Sequence, residues 1–381
     1  MDGKRTRERG RRSLDTAARR LVRAGVRAGI GNSRYFGPPR RHTTLAEAAA
    51  EAGAPFRVVE PGYDADWTGI SYDSGEPVSF LAPLPGRFPD AGLLELERGR
   101  VIDGRGWPVT HGDALIDDAT FMPDIPRFHS YQQIVRLKRA RRLSGRVLSL
   151  GSTFAENNYG HTLLDAYGRL SLLRSAGEDL ASFDAVLVPR FRSREITRLW
   201  SKAGIDPTQI VPLEPGDHFE AERLLVTSFP GLPRVYPTWV PGFFQSLIPT
   251  PSTGGRRLFV IRRSDRRSLL NSPDIEALVA GRGFELYDPG NPDNLPEEDF
   301  ASAGFVMGAH GAALADLAFC RPGTQVVELL PEGHSHPYFA TLSVSGGLDY
   351  TAVPGASVSS TRQADWTVEV TRIERLLDRL D

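Results

Sequence analysis

Residues 304–330 constrain the fold more than any other stretch of this chain. An apolar strand candidate, Gly304-Phe305-Val306-Met307, runs into the small-residue turn Gly308-Ala309-His310-Gly311. Ala312, Ala313, Leu314, Ala315, Leu317, Ala318 and Phe319 follow as a compact helix candidate, which Arg321-Pro322-Gly323 ends. Val326-Val327-Glu328-Leu329-Leu330 then reads as the next strand. Strand, turn, helix and strand in that order belong to a parallel α/β layer. Glycines let a backbone approach an anion, and the first N–H groups of a helix point at it. His310 adds a donor in the turn. Glu328, on the following strand, offers a carboxylate to sugar hydroxyls. The layout is one that handles nucleotides.

The same alternation recurs on either side. Val147–Leu150, Asp184–Pro189, Gln209–Leu213 and Leu224–Val226 read as strands. Leu163, Leu164, Tyr167, Leu170 and Leu173 fall at helical spacing over 162–173, and Arg194–Gly204 is a helix closed by glycine. Tyr236–Gly254 is a Pro- and aromatic-rich connection with a short helix over Gly242–Leu247. A second alternation follows. Strands are expected at Leu258–Ile261, Phe284–Tyr287, Phe305–Met307 and Tyr350–Val353, and helices at Pro273–Ala280, Pro296–Ala303 and Tyr338–Ser345. Asn271 or Ser272 is placed to cap the first of those helices, with Pro273 in its first turn. Asp365–Leu380 reads as a closing helix. The expected fold is α/β, with two Rossmann-like domains facing a cleft. The expected domains are a basic arm over 1–42, a first domain over 43–240, a second over 255–360 and the closing helix over 361–381. Residues 43–127, rich in Pro and Gly, read as an irregular, β-leaning segment with short strands near Phe56–Val59, Val78–Leu81 and Gly99–Ile102.

A chain of 381 residues with net charge −1 gives no overall electrostatic argument for nucleic acid. Its basic residues are concentrated early, with Arg5, Arg7, Arg9, Arg11, Arg12, Arg19, Arg20, Arg23 and Arg27 in the arm. Leu14, Ala18, Leu21, Val22 and Val26 give Leu14–Ile30 one weak apolar stripe. The arm is therefore either a solvated, disordered segment or an amphipathic helix resting on an anionic membrane surface. Aromatic residues do not interleave its charges, so nucleic acid is not expected. Cys320 is the one cysteine, which excludes an intramolecular disulfide and a cysteine-cluster metal site and suits a reducing cytoplasm. Arginines break every candidate signal-peptide run, and no stretch approaches the roughly 20 apolar residues of a membrane span. The expected location is cytoplasmic, including the inner face of the membrane if the arm binds there.

The candidate chemistry lies in few residues. His161 precedes Asp165 by one helical turn, so the carboxylate can orient the imidazole and keep it basic, as a general base requires. Arg262 and Arg263 end a strand of the second half, where arginine can grip a pyrophosphate bidentately. Metal is not expected. Asp64-Ala65-Asp66 has the Asp-x-Asp spacing without a preceding strand, and His334-Ser335-His336 lacks a third ligand nearby. Neither a Gly-x-Ser-x-Gly elbow nor a phosphate-binding P-loop pattern occurs.

Four stretches together resemble the family 61 glycosyltransferases, in a bacterial form. They are Asn158-Tyr159-Gly160-His161 with Asp165; Leu258–Arg263 with Arg266, Arg267 and Asn271; Gly308–Leu314; and Pro322–Glu328 followed by Tyr338. The sequence departs from the usual pattern at Thr162, where a bulky aromatic is frequent, and at Asp316. The resemblance implies a GT-B architecture with the nucleotide sugar bound by the C-terminal half and the acceptor by the N-terminal half. It implies inverting, usually metal-independent transfer, generally from a UDP-sugar to a hydroxyl of a glycan or lipid-linked acceptor, as in cell-surface polysaccharide synthesis, with no cofactor. In these terms His161 and Asp165 are catalytic. Arg262, Arg263, His310, Gly311, Ala312, Ala313 and Glu328 hold the donor. The alternative is a non-catalytic nucleotide- or glycan-binding protein of the same fold.

Overall fold

The computed structural model describes residues 41–78, 84–120, 137–191, 193–249, 255–263, 267–332, 336–359 and 364–381, with isolated positions before residue 40. The basic arm lies almost wholly outside the described residues, as do His334, Arg266 and part of the strand expected at Val78–Leu81. The protein is mixed α/β and divides into two compact units. The first falls within Met1–Pro61, Ala91–Arg192 and Ile196–Phe229, and the second within Gly62–Asp90, Ser193–Glu195 and Pro230–Asp381.

The sheet of the first unit has ten strands among the described residues. Strands β1 (Ala91–Glu97), β2 (Arg100–Ile102), β3 (Arg141–Ser149), β4 (Ala185–Pro189), β5 (Ile210–Leu213) and β6 (His218–Thr227) make up most of it. Four run parallel in the order β6-β3-β4-β5. All of β4 and the last residues of β3 and β6 read as apolar runs, and there the strands are buried. On the other edge of β6 the sheet turns antiparallel, through β1 and β2. The segment expected to be irregular therefore extends the sheet. Its strands escape a periodicity reading because they are short and separated by tight turns, as at Arg100–Ile102 against Trp107–Val109. A helix at Leu45–Ala52, which the sequence reading omitted, is closed by a Thr44–Glu47 capping box. It packs Leu45, Ala48 and Ala49 into a core with Leu94, Val147, Leu187 and Leu224.

In the second unit, β7 (Arg256–Val260), β8 (Glu285–Tyr287), β9 (Ala303–Ala309), β10 (Gln325–Pro331) and β11 (Asp349–Ser357) are all parallel, in the order β8-β7-β9-β10-β11. Counted along the chain this is 2-1-3-4-5, so the loops leaving β7 and β9 turn in opposite directions and open a crevice at the carboxyl ends of those two strands. The sequence expects residues 43–240 in one domain, but residues 62–90 cluster with this unit. Ser71–Tyr72 adds a parallel strand to β11, and Arg372 grips Asp73. The closing helix is shorter than expected, Val370–Leu380. Trp366–Thr367 instead pairs antiparallel with β11, where the buried Trp366 donates its indole N–H to the Arg267 carbonyl. Asn271 makes no cap bond. Its amide bonds both polar groups of the Val368 backbone, tying the start of the Ser272–Gly281 helix to the chain beside it.

Candidate functional site

In the first unit, β3 delivers the chain into a loop and then a helix at its carboxyl end. That helix is composite. An α-turn at Tyr159–His161 passes into a π-turn at Thr162–Ala166, a tight turn at Tyr167–Arg169 and an α-helix at Leu170–Ser175. The sequence predicts one regular helix, and π-turns of this kind collect at functional sites. Asn158 caps its start by accepting from the His161 N–H. His161 Nδ1 lies 2.6 Å from Asp165 Oδ2, and Asp165 is fully buried. The pairing expected from the i,i+4 spacing is present. It fixes the ring so that Nε2 is the nitrogen turned away from the carboxylate.

Beneath this pair lies Arg169, one further helical turn along and buried. Its guanidinium donates to the carbonyls of Thr227, Ser228 and Ala119, and its Nε to the carbonyl of Asp165. Burial pulls Arg169 down to about 10 while the Asp165 charge opposes that shift. Arg169 thereby locks the helix that carries His161 to the end of β6. The sequence reading missed it, although its spacing of four from Asp165 places it on the same helical face. Thr162 is also buried, with Oγ1 donating to the carbonyls of Ala155 and Asn158. A bulky aromatic there would lose both bonds.

In the second unit, Arg262 follows β7 and His310 follows β9, at the two strand ends that open the crevice. Arg262 Nη1 donates to the His310 carbonyl at 2.8 Å. Gly311 is extended, with φ −178 and ψ 164, and a Cβ there would sit 2.3 Å from Arg262 Nη1. The glycine is needed for the guanidinium's approach. Ala312–Phe319 forms a helix of the tighter 3-10 kind, whose first N–H groups, on Ala312 and Ala313, have no acceptor within the helix. Burial and the nearby charge of Arg267 bring Arg262 down to about 10, so two cations share this corner. Arg263 is not gathered there. It follows Arg262 by one residue and reaches Glu276 at 3.3 Å, largely exposed.

Behind the turn, His310 Nδ1 lies 2.5 Å from Glu328 Oε1, and the Tyr350 hydroxyl donates to Glu328 Oε2 at 2.6 Å. Glu328 is 1% exposed, so its carboxyl group engages these two partners within the unit and supports the turn through His310. Burial raises Glu328 to about 8 against the lowering effect of the Tyr350 bond. Burial, then the charges of Arg267 and Arg262, hold His310 down to about 3. Burial thus disfavours the charged form of both groups. One proton lies between His310 Nδ1 and Glu328 Oε1, and Oε2 accepts from the Tyr350 hydroxyl. No local pattern points to Tyr350, which meets Glu328 only because β10 and β11 pair with Val326 opposite Tyr350.

The two carboxylates of the Asp-x-Asp stretch have local partners. Asp64 accepts from Arg87, and Asp66 from the Thr68 N–H. Among the described residues, no helix is long and apolar enough to cross a membrane, and no group of three or more His, Cys, Asp or Glu side chains is arranged to hold a metal.

No curated protein matches the chain. Residues 159–327, which include His161, Asp165, Arg262 and the His310–Ala313 turn, match the family model described as Glycosyltransferase 61, and this supports a place for the chain among the family 61 glycosyltransferases.

Proposed function

We propose that this protein is an inverting glycosyltransferase of the GT-B type that moves a sugar from a nucleotide diphosphate sugar, a UDP-sugar, to a hydroxyl of a glycan or lipid-linked acceptor. The observation that carries the reading is the cationic corner of the second unit. There Arg262 lies against the His310 carbonyl at the sheet's topological switch point, next to the first turn of the Ala312–Phe319 helix. An inverting transfer develops negative charge on the leaving diphosphate. Arginine, the Nε2–H of His310 and the amides of Ala312 and Ala313 are donors suited to it, so the charge stabilisation needs no metal. Glu328 and Tyr350 set the tautomer of His310.

His161 takes the proton of the acceptor hydroxyl on Nε2 as the acceptor oxygen bonds to the anomeric carbon. The bond from that carbon to the diphosphate oxygen breaks, and its electron pair leaves with the diphosphate. Asp165 stabilises the imidazolium that results. The acceptor is proposed as part of a surface polysaccharide, with the reaction on the cytoplasmic side.

The test begins with a thermal-shift screen of nucleoside diphosphates and sugar nucleotides, followed by turnover on those that stabilise the protein. His161→Ala is expected to lower turnover by about 10²- to 10⁴-fold with UDP affinity kept. Full activity in that variant removes His161 from the mechanism. Unchanged UDP affinity in Arg262→Ala, read by calorimetry, removes the diphosphate role.

A further inference from the structure

The loop between β3 and the His161 helix holds one residue in an unfavourable conformation. Phe154 has φ 73, in the left-handed region that glycine adopts freely and a bulky side chain rarely does. The residue is also 40% exposed, and its ring centroid lies 5.4 Å from that of His161, tilted by 42°. A large apolar ring kept in solvent by a strained backbone persists only where its surroundings impose it.

The surroundings do impose it. On one flank, Thr153 Oγ1 accepts from the buried Trp107 indole at 2.9 Å. On the other, the Ala155 carbonyl accepts from Thr162 Oγ1 at 2.7 Å, and the Ala155 N–H donates to the Ser152 carbonyl. Glu156 pairs with Arg105. At the base of the loop a Cβ on Gly151 would fall 2.5 Å from the Gly106 Cα, so two glycines allow the loop to press onto its neighbour. Ser152, Thr153 and Ala155 are buried on either side of the exposed Phe154.

We propose that Phe154 is the platform on which the acceptor sugar stacks, its aromatic face covering the apolar C–H face of a pyranose ring while His161 addresses the hydroxyl. The chemistry fits the position. A pyranose offers one face of C–H groups to a π surface, and a hydroxyl at its rim then falls beside the adjacent imidazole. The platform belongs to the acceptor because it accompanies the base, whereas the groups assigned to the diphosphate lie in the other unit. This inference rests on the reading of His161 as the base.

The experiment uses the full chain with UDP present and a panel of methyl pyranosides of xylose, glucose, galactose, mannose and N-acetylglucosamine in both anomers. Binding is read by saturation-transfer NMR. At least one glycoside is expected to receive saturation on the protons of one ring face. Phe154→Gly and Phe154→Leu are expected to weaken it on the order of tenfold, and Phe154→Trp to retain it. UDP affinity stays unchanged in all three, and the Tm of Phe154→Gly is at or above that of the parent because the strain is relieved. The proposal is overturned if no glycoside of the panel loses affinity in Phe154→Gly, the case where none binds the parent included. It is equally overturned if Phe154→Leu binds like the parent or if UDP affinity falls in parallel. Binding is measured without turnover. Full activity in His161→Ala would therefore remove the base while leaving the stacking result to be judged alone.

Discussion

His310 Nδ1 and Glu328 Oε1 meet at 2.5 Å, one just past the end of β9 and the other on the adjacent parallel strand β10, and burial disfavours the charge of each. The signs of their two shifts oppose each other. Glu328 is raised from 4.5 to about 8, so its contribution to stability is present below about pH 4.5 and is lost as pH rises through about 8. His310 is lowered from 6.5 to about 3, so its contribution is present above about pH 6.5 and is lost as pH falls through about 3. The slopes cancel between about 4.5 and 6.5. The prediction is a fall in unfolding free energy from about pH 6.5 to 8, at no more than about 1.4 kcal/mol per unit. Urea titrations across that range check it, and Glu328→Gln should abolish the fall.

Glutamine imitates a protonated glutamate at this site, since it donates on one side and accepts on the other. Glu328→Gln is therefore expected to keep UDP affinity within about threefold, whereas Glu328→Ala leaves His310 Nδ1 without its partner and loses about tenfold or more. Calorimetry with UDP separates the two. Equal loss in both variants would show that the ionised carboxylate is the working form.

Gly311→Ala places a Cβ 2.3 Å from Arg262 Nη1 without demanding an unusual backbone angle. The guanidinium must move and its bond to the His310 carbonyl is lost. The expected outcome is a change in unfolding free energy of no more than about 1 kcal/mol, with UDP affinity lowered on the order of tenfold. A large loss of stability with affinity kept would argue that the glycine serves packing alone.

Asp165 and Arg169 separate catalysis from scaffolding. Asp165→Asn keeps the shape but removes the charge that stabilises the imidazolium and puts a donor where Oδ2 stood, and turnover should fall by about 10²- to 10⁴-fold with UDP affinity unchanged. Arg169→Met strands the carbonyls of Thr227, Ser228 and Ala119 and should cost about 3–5 kcal/mol of stability, measured by urea denaturation.

Asp73 receives both Nε and Nη2 of Arg372 at 2.6 Å, which fastens residues 62–90 to the second unit. Asp73→Ala should cost about 1–3 kcal/mol. It should also speed hydrogen exchange at Ser71 and Tyr72, the strand beside β11, and leave the exchange of β3 and β4 as it was.

The sequence alone determined what neighbours in the chain can encode. Apolar runs placed β4, β5, β7, β8, β9 and β10 close to their observed bounds, but found only the last residues of β3, whose first half is polar. A spacing of four put His161 against Asp165, because one helical turn joins them whatever the rest of the chain does. Pro322-Gly323 marked the end of the helix before β10. Tertiary structure decided whatever depends on groups distant in sequence. Asp73 and Arg372 stand 299 residues apart, and no local pattern announces their bond. Register across β10 and β11 brought Tyr350 to Glu328 and turned a carboxylate read as a sugar acceptor into the buried partner of His310. The direction taken by Arg263, the strain at Phe154 and the shifts of the His310–Glu328 pair follow from packing and desolvation. Those act through the folded surroundings of a group and cannot be read from its place in the chain.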